Sequence, residues 1–527
     1  MADRKPDILL IVLDTLRADR LSSYGYGRET SPHLDAFAGT GVLFERAISP
    51  AQWTIPAHAS FFTGEYPTTH GTTQIYDKHS EQYPTLAEIL RREGYDTVGF
   101  CNNPLLGVVD NNLDRGFEAF YNYGGAFPSR PPIADSRPRM WGRITQRVVR
   151  MLRRITSPIQ DSFAHSNFLL RIALHPWIVP VWRRYANFKG NTIQSMRDLL
   201  GYLRARHDKG AQRPLFAFVN LMETHLPYGP RPRFIRKFAP WYRHDREARA
   251  FMERYNHEHY RWMVPLREPL AEMQDRAIND LYDAEVAYED HLLRRLYHYL
   301  DDPEIRDNTM VIVTSDHGEG LNHHHFVGHS LVAYDDLVRV PLVVRYPKLY
   351  PAGKRVTQPV SARRIFHTAL EAAGVESVYG DSEDRAPIDI SGLSLATAAS
   401  GSDPEEGIVF SEAFTPDTLI VLMQNADPEA IDLYRCRSMR RAVYRGTHKL
   451  ITVGDQPDEL FDVVRDPGEL ANLIDQERPL SEELDGLLQS FVSEAQERVP
   501  EAWRAARLQL KDDEELTERL RGLGYLN

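Results

Sequence analysis

The chain has 527 residues, 42% of them hydrophobic and 26% charged, with a formal net charge of -11 at pH 7. That length exceeds one compact core and predicts a large domain with a smaller one beside it. The acidic balance excludes a chain that binds nucleic acid over its whole surface, and two cysteines, Cys101 and Cys436, are too few for a disulfide framework and read as buried thiols.

Arg4 and Lys5 ahead of Ile8 to Leu13 have the outline of a secretory signal, but the apolar run is too short and is bounded by Asp7 and Asp14. It reads instead as a first strand, buried on both faces as in a parallel sheet. No stretch reaches about 18 uninterrupted apolar residues, so the sequence predicts no membrane-spanning helix and a cytoplasmic protein. Ser31-Pro32 predicts a helix start, with Leu34 to Ala38 helical and Gly39 and Gly41 closing it. Trp53 to Gly64 again places a proline, Pro56, just inside a helix start and leaves Thr54 at the amino end, where free N–H groups and the helix dipole favour an anion. A hydroxyl there is either a nucleophile held beside an anionic ester or a cap.

Two more apolar runs end as the first one does. Leu215 to Met222 is followed by Glu223-Thr224-His225, and Thr309 to Thr314 by Ser315-Asp316-His317. Open α/β sheets bind ligands beyond the carboxyl ends of their strands. Three strands delivering Asp14, Asp316-His317 and His225 to one edge therefore predict a divalent-metal centre for phosphoryl-type chemistry. Further on, Ser361 is expected to cap a helix from Ala362 to Ala373 ended by Gly374, and Tyr379 to Gly401 to connect two domains. Short strands near Gly407 to Glu412, Arg441 to Arg445 and Lys449 to Thr452 predict a small antiparallel sheet, followed by two charged amphipathic helices.

Residues 130–190 stand apart, with twelve basic residues against two acidic ones, a local net charge of +10. Trp141, Ile144, Val148, Met151, Leu152 and Ile155 fall at helical spacing with arginines between them, the pattern of a basic amphipathic helix. A second apolar stretch, Phe168 to Trp182, is interrupted by Pro176 and Pro180. Such a pair can make peripheral contact with an anionic membrane, cover an active site as a lid, or pack on the core with its arginines in water. Nucleic acid is the weaker option, since no base-reading motif is present.

The order Asp14, Thr54-x-Pro56-x-His58, Thr63-Gly64, His70-Gly71, His225-x-Pro227-Tyr228, Ser315 to Glu319, Gly328-His329 and Arg339 to Leu342 resembles the sulfatase branch of the alkaline phosphatase superfamily. His448 to Ile451, Glu459 to Asp462 and Asp466 to Glu469 resemble that family's closing segment. The similarity runs from about Pro6 to about residue 490, with 121–210 as the exception. The resemblance implies an α/β fold, a large mixed, mostly parallel sheet flanked by helices, with a smaller α+β domain carrying an antiparallel sheet. It places a catalytic domain at 1–375, with 121–210 as a basic, aromatic-rich insertion, and the smaller domain with its helical tail at 376–527.

Departures from the family pattern narrow the chemistry. Family sulfatases carry Cys or Ser at the Thr54 position and Arg at the His58 position, which allow conversion to formylglycine. Threonine cannot be so converted, so no formylglycine is expected. Members with a threonine nucleophile include phosphoethanolamine and phosphoglycerol transferases and related phosphoester enzymes. The family's second paired aspartate is replaced by Thr15. One divalent ion is expected on Asp14, Thr54, Asp316 and His317, a set with an imidazole and few carboxylate oxygens that suits Mn²⁺ or Zn²⁺ over Ca²⁺. His323-His324-His325 reads as a solvated loop rather than a second site. His225 and His329 are expected at the non-bridging oxygens or the leaving group, and His58 as the residue that orients Thr54. The sequence thus predicts a metal-dependent hydrolase of a phosphate mono- or diester acting on an anionic ester. The alternatives are a phosphoalcohol transferase, a sulfate-ester hydrolase and a non-catalytic docking protein.

Overall fold

The computed structural model describes residues 5–75, 77–109, 111–124, 128–131, 189–257, 262, 265–329, 331–378 and 388–498. A nine-stranded sheet organises the chain. Its strands include β1 (Asp7–Leu13), β2 (Val42–Ile48), β3 (Asp96–Cys101), β4 (Ala119–Asn122), β5 (Leu215–Leu221) and β6 (Thr309–Thr314). The run at β1 lies between β5 and β6, parallel to both, with Ile8 opposite Phe216 on one side and Met310 on the other. The parallel array continues through β3 to β4. On the opposite side, strand Arg339–Arg345 runs antiparallel to both β6 and β2, so the sheet is mixed but mostly parallel.

The alternation along β1 sends its side chains into two cores. Ile8, Leu10 and Val12 pack with Ile55, Ala59, Phe61 and Phe62 of helix Thr54–Thr63. Leu9, Ile11 and Leu13 pack with Ala277, Ile278 and Leu281 of the long helix Glu272–Leu300. A period of two over a strand apolar at every position requires cover on both faces, which these helices supply.

A second, four-stranded antiparallel sheet follows, from Val409–Ala413, Arg440–Arg445, His448–Val453 and Gln456–Asp462. Leu484 and Leu488 of helix Arg478–Arg498 cover Val443, Leu450 and Leu460. The fourth strand was not expected, because Pro457 and Asp458 disguise its start. Three local expectations need correction. Neither Ser31 nor Ser361 makes a side-chain capping bond, and Ser31 Oγ instead donates to Asp35 Oδ1 at 2.9 Å. The helix expected from Ala362 begins as a tighter turn over Ala362–Arg364 and becomes α-helical at Ile365–Ala372. The connection expected over 379–401 carries helix Leu395–Ser400, whose Leu395, Ala398 and Ala399 are buried in the first core. Residues 132–188, which hold most of the basic stretch, and 499–527, where a second terminal helix was expected, lie outside the described residues.

Candidate active site

The carboxyl ends of β1, β5, β6 and β3 form one rim. Asp14 leaves β1 with its backbone N–H donating to Leu221 O at 2.8 Å, which fixes it beside the end of β5. Its Oδ2 accepts from Asn103 Nδ2 at 2.7 Å and from Asn220 Nδ2 at 3.3 Å. Asp316 follows β6, and its Oδ1 accepts from the backbone N–H groups of Thr15 at 3.3 Å and His317 at 3.0 Å. His317 Nδ1 donates to Gly318 O at 2.9 Å, which assigns the lone pair to Nε2. That Nε2 stands 3.5 Å from Asp316 Oδ2 and 4.0 Å from Asp14 Oδ1.

Three buried acceptors thus converge, with ligand atoms within 4.8 Å of one another, and among the described residues neither Asp14 Oδ1 nor Asp316 Oδ2 has a hydrogen-bond partner. Burial pushes Asp14 up to about 6. Burial, reinforced by Asp14, raises Asp316 well above the carboxylate range. It also drives His317 well below the imidazole range, with His329 adding to the effect. Two carboxylates and an imidazole lone pair at this spacing fit a divalent cation, which repays their desolvation and joins all three. Among the described residues this is the one such trio.

Thr54 is the first residue of its helix, and Trp53, in an extended conformation, occupies the cap position. Thr54 Oγ1 lies 3.4 Å from His317 Nε2 and 3.5 Å from Asn103 Nδ2, in a site that leaves Thr54 2% exposed. The helix carrying it is buried on every side, and Pro56 falls in the first turn, where its missing N–H costs nothing. At the far end Gly64, at φ 74°, closes the helix where an added Cβ would meet His367 and Phe366 at 2.7 Å. One turn after Thr54, His58 Nδ1 donates to the carbonyl of Thr54 at 2.9 Å, not to its hydroxyl, and lies 3.5 Å from Asp316 Oδ2. Burial lowers His58 to about 4, so it is neutral near pH 7.

The other two expected histidines join the same rim. The His329 ring is 4.5 Å from that of His317 and 4.9 Å from that of His225. Burial opposes charge on His329, but Glu319, whose Oε1 pairs with Nδ1 at 2.9 Å, outweighs it and raises the imidazole above its ordinary value. His225 Nδ1 donates to Leu226 O at 2.7 Å. By contrast the rings of His323 and His324 do not converge. His323 Nδ1 meets Asp336 Oδ2 at 2.9 Å, while His324 stacks on Tyr334 at 3.7 Å.

Four neighbours of this site are given no role by the sequence. Asn103 and Asn220 hold Asp14, Glu319 pairs with His329, and Thr15, at φ 63°, offers Asp316 its backbone amide. The signal for Asn103 was present, since Asn102-Asn103 ends the β3 run just as Asp14 ends β1.

Known proteins share this fold. The sulfatase family model, "Sulfatase", matches residues 6–375. Mouse iduronate 2-sulfatase is 26% identical over 388 residues, which cover 68% of this chain and 62% of that protein. The ulvan-active sulfatase of Formosa agariphila is 25% identical over 507 residues, 93% of this chain and 81% of that protein. Among solved structures, the phosphonate monoester hydrolase of Agrobacterium radiobacter superposes with a TM-score of 0.60 at 22% identity, covering 94% of this chain and 96% of that one. The enzyme from Silicibacter pomeroyi with the same activity in its name gives 0.62 at 19%, covering 94% and 96%. With most of its length matched by one family model, the chain belongs to the sulfatase family, and it shares its fold with these structures.

Proposed function

We propose that this protein is a metal-dependent hydrolase that cleaves a phosphate mono- or diester with Thr54 as its nucleophile. The observation that carries the reading is the buried Thr54 Oγ1, 3.4 Å from His317 Nε2 at the edge of the Asp14, Asp316 and His317 trio. Oxidation of a threonine side chain yields a ketone rather than the aldehyde of formylglycine, so the hydroxyl itself must attack. A formylglycine hydrate can expel sulfate by breaking its own C–O bond. An ester of Thr54 has no such route, and its release requires attack by water at the central atom, a reaction suited to phosphorus.

A single Mn²⁺ or Zn²⁺, held by Asp14, Asp316, His317 and the Thr54 oxygen, would supply the positive charge that favours the Thr54 alkoxide and offsets charge on the transferred group. Thr54 Oγ1 forms its bond to phosphorus as the bond to the leaving oxygen breaks, and that oxygen takes a proton from His225 or His329. Glu319 favours the charged form of His329, which would face a non-bridging oxygen. Asn103, within reach of both Asp14 and Thr54, fixes the carboxylate relative to the nucleophile. Water then cleaves the phosphothreonine. If an alcohol takes the place of water, the same site performs transfer.

The test is a panel of chromogenic phosphomonoester, phosphodiester, phosphonate and sulfate esters, each assayed with several divalent metals. Turnover of the phosphorus esters with Mn²⁺ or Zn²⁺ is expected, together with its loss after chelation. Asp316→Ala and His317→Ala should lose both bound metal and turnover while the fold persists. Faster turnover of the sulfate ester, or full activity in metal-stripped protein, overturns the reading.

A further inference from the structure

His225 sits in a loop whose anchoring is not explained by the metal trio. Thr224 Oγ1 donates to Asp14 O at 2.7 Å, which ties the start of the loop to β1. Beyond it, Asn256 holds Tyr228, accepting from its N–H at 2.9 Å and donating to its carbonyl at 2.7 Å, and a lysine from a distant part of the chain spans the residues on either side of His225. Lys189 Nζ lies 2.7 Å from Glu223 O, 2.8 Å from Pro227 O and 3.1 Å from Glu285 Oε1. The two carbonyls flank His225 symmetrically, one two residues before it and one two residues after. An ammonium has three N–H donors, and here each meets one acceptor. Glu285, on the long helix Glu272–Leu300 and 1% exposed, also accepts from Gly229 N at 2.7 Å and so fixes the loop's far end. The Lys189 side chain is itself only 14% exposed.

We infer that Lys189 is a positioning residue for His225, bridging the two ends of its loop so that the imidazole is held beside His329. This rests on the reading of His225 as a group that protonates the leaving oxygen. Arginine, whose donors are fixed in one plane, cannot aim three of them at a carbonyl pair and a carboxylate in this way, and methionine offers none. Glu285 is the counter-charge that makes a buried ammonium tolerable, and burial raises it to about 7 despite that partner. Removal of Lys189 therefore frees the loop and also strands a buried carboxylate.

The experiment separates those two effects. Lys189→Met, Lys189→Met/Glu285→Gln, His225→Ala and Lys189→Met/His225→Ala are prepared in the full chain, with metal content and thermal stability measured for each. Their kcat and KM are then followed over substituted phenyl phosphodiesters of rising leaving-group pKa. A mispositioned acid is felt most by the poorest leaving group. Lys189→Met should lower kcat about 2-fold for the most acidic phenol and at least about 10-fold for the least acidic, with metal content unchanged. Lys189→Met/Glu285→Gln should recover thermal stability without recovering that slope, and Lys189→Met should add nothing in the His225→Ala background. A wild-type slope in Lys189→Met, or an equal loss for every ester, overturns the role of Lys189 while a steeper slope in His225→Ala keeps the function of His225. If His225→Ala itself shows no leaving-group dependence, both fall together.

Discussion

A threonine at the amino end of a helix is usually there for its capping hydroxyl, and Thr54 is one residue too far along the chain for that. Trp53 takes the cap position and caps nothing with its side chain, while the Thr54 hydroxyl turns to His317 and Asn103. Thr54→Ala should therefore leave helix and fold in place and lower kcat by about a thousandfold or more. Thr54→Ser, which keeps the oxygen and removes a methyl group, should retain part of the activity. Intact-mass measurement of enzyme quenched during turnover should find the substrate's phosphoryl group on Thr54 in the wild type. An unmodified Thr54 combined with an active alanine variant would return the residue to a structural role.

The segment that follows the nucleophile helix is an element built on side-chain hydrogen bonds. Ser60 Oγ and His70 Nε2 are 3.0 Å apart, Thr72 Oγ1 and His79 Nδ1 3.1 Å, and His79 Nε2 and Tyr83 O 3.0 Å. A carbonyl can only accept, so His79 Nε2 carries the proton and Nδ1 accepts from Thr72, a pattern open only to the neutral ring. Burial, aided by Arg115, pushes His79 from 6.5 down to about 4. The folded value lies below the unfolded one, so this stability is present above pH 6.5 and is lost as pH falls through about 4. The loss over that window is on the order of 3 kcal/mol. His79→Gln should be less stable than the wild type at pH 7.5, with a smaller further loss at pH 4.5. Denaturant unfolding of both proteins at the two pH values measures the difference, and equal pH dependence would remove His79 as its source.

At the scale of the molecule, the small sheet is joined to the active-site rim by polar and apolar contacts. Val409, Ala442 and Ile451 from that sheet share a core with Ile48, Leu337 and Val338. Lys449, fully buried, pairs with Asp335 at 2.9 Å and with Glu469 at 2.6 Å. Asp335 begins the short helix Asp335–Val338, to which Gly318 N and Glu319 N donate through Leu337 O and Asp336 O at 2.7 and 3.1 Å, directly behind His317. Lys449→Met leaves two buried carboxylates without a cation and should cost about 3–5 kcal/mol, read by denaturant unfolding. A loss below about 1 kcal/mol would mean that the apolar core alone holds the sheet in place. The basic stretch belongs to the same scale. Arg130 is paired with Asp198 at 2.8 Å and Lys189 with Glu285, so two of its twelve basic residues serve the fold. If the remainder forms a membrane-facing surface rather than a lid or core packing, it should bind anionic vesicles at about 1 kcal/mol per basic residue, weakened by salt. Absence of co-sedimentation with anionic vesicles at low salt would rule out a membrane role for them.

What the sequence determined by itself was local. Buried parallel strands need apolar side chains on both faces, so β1, β5 and β6 were visible as unbroken runs, and Asp14, Asp316, His317 and His225 stood out because polar ligand types interrupt those runs at their ends. Pro56 marked the start of the helix that carries Thr54. The tertiary structure alone decided which partners these residues meet. Asn103 and Asn220 read as ordinary strand-end residues until β1, β5 and β3 are aligned, when both amides fall on one oxygen of Asp14. Lys189 and Lys449 read as two lysines among many, and what sets them apart is a carboxylate 96 residues away in one case and 114 in the other. A side chain's intrinsic chemistry is written in its residue type, but whether that chemistry acts as ligand, clamp or solvated charge depends on the distant groups that burial brings within about 3 Å.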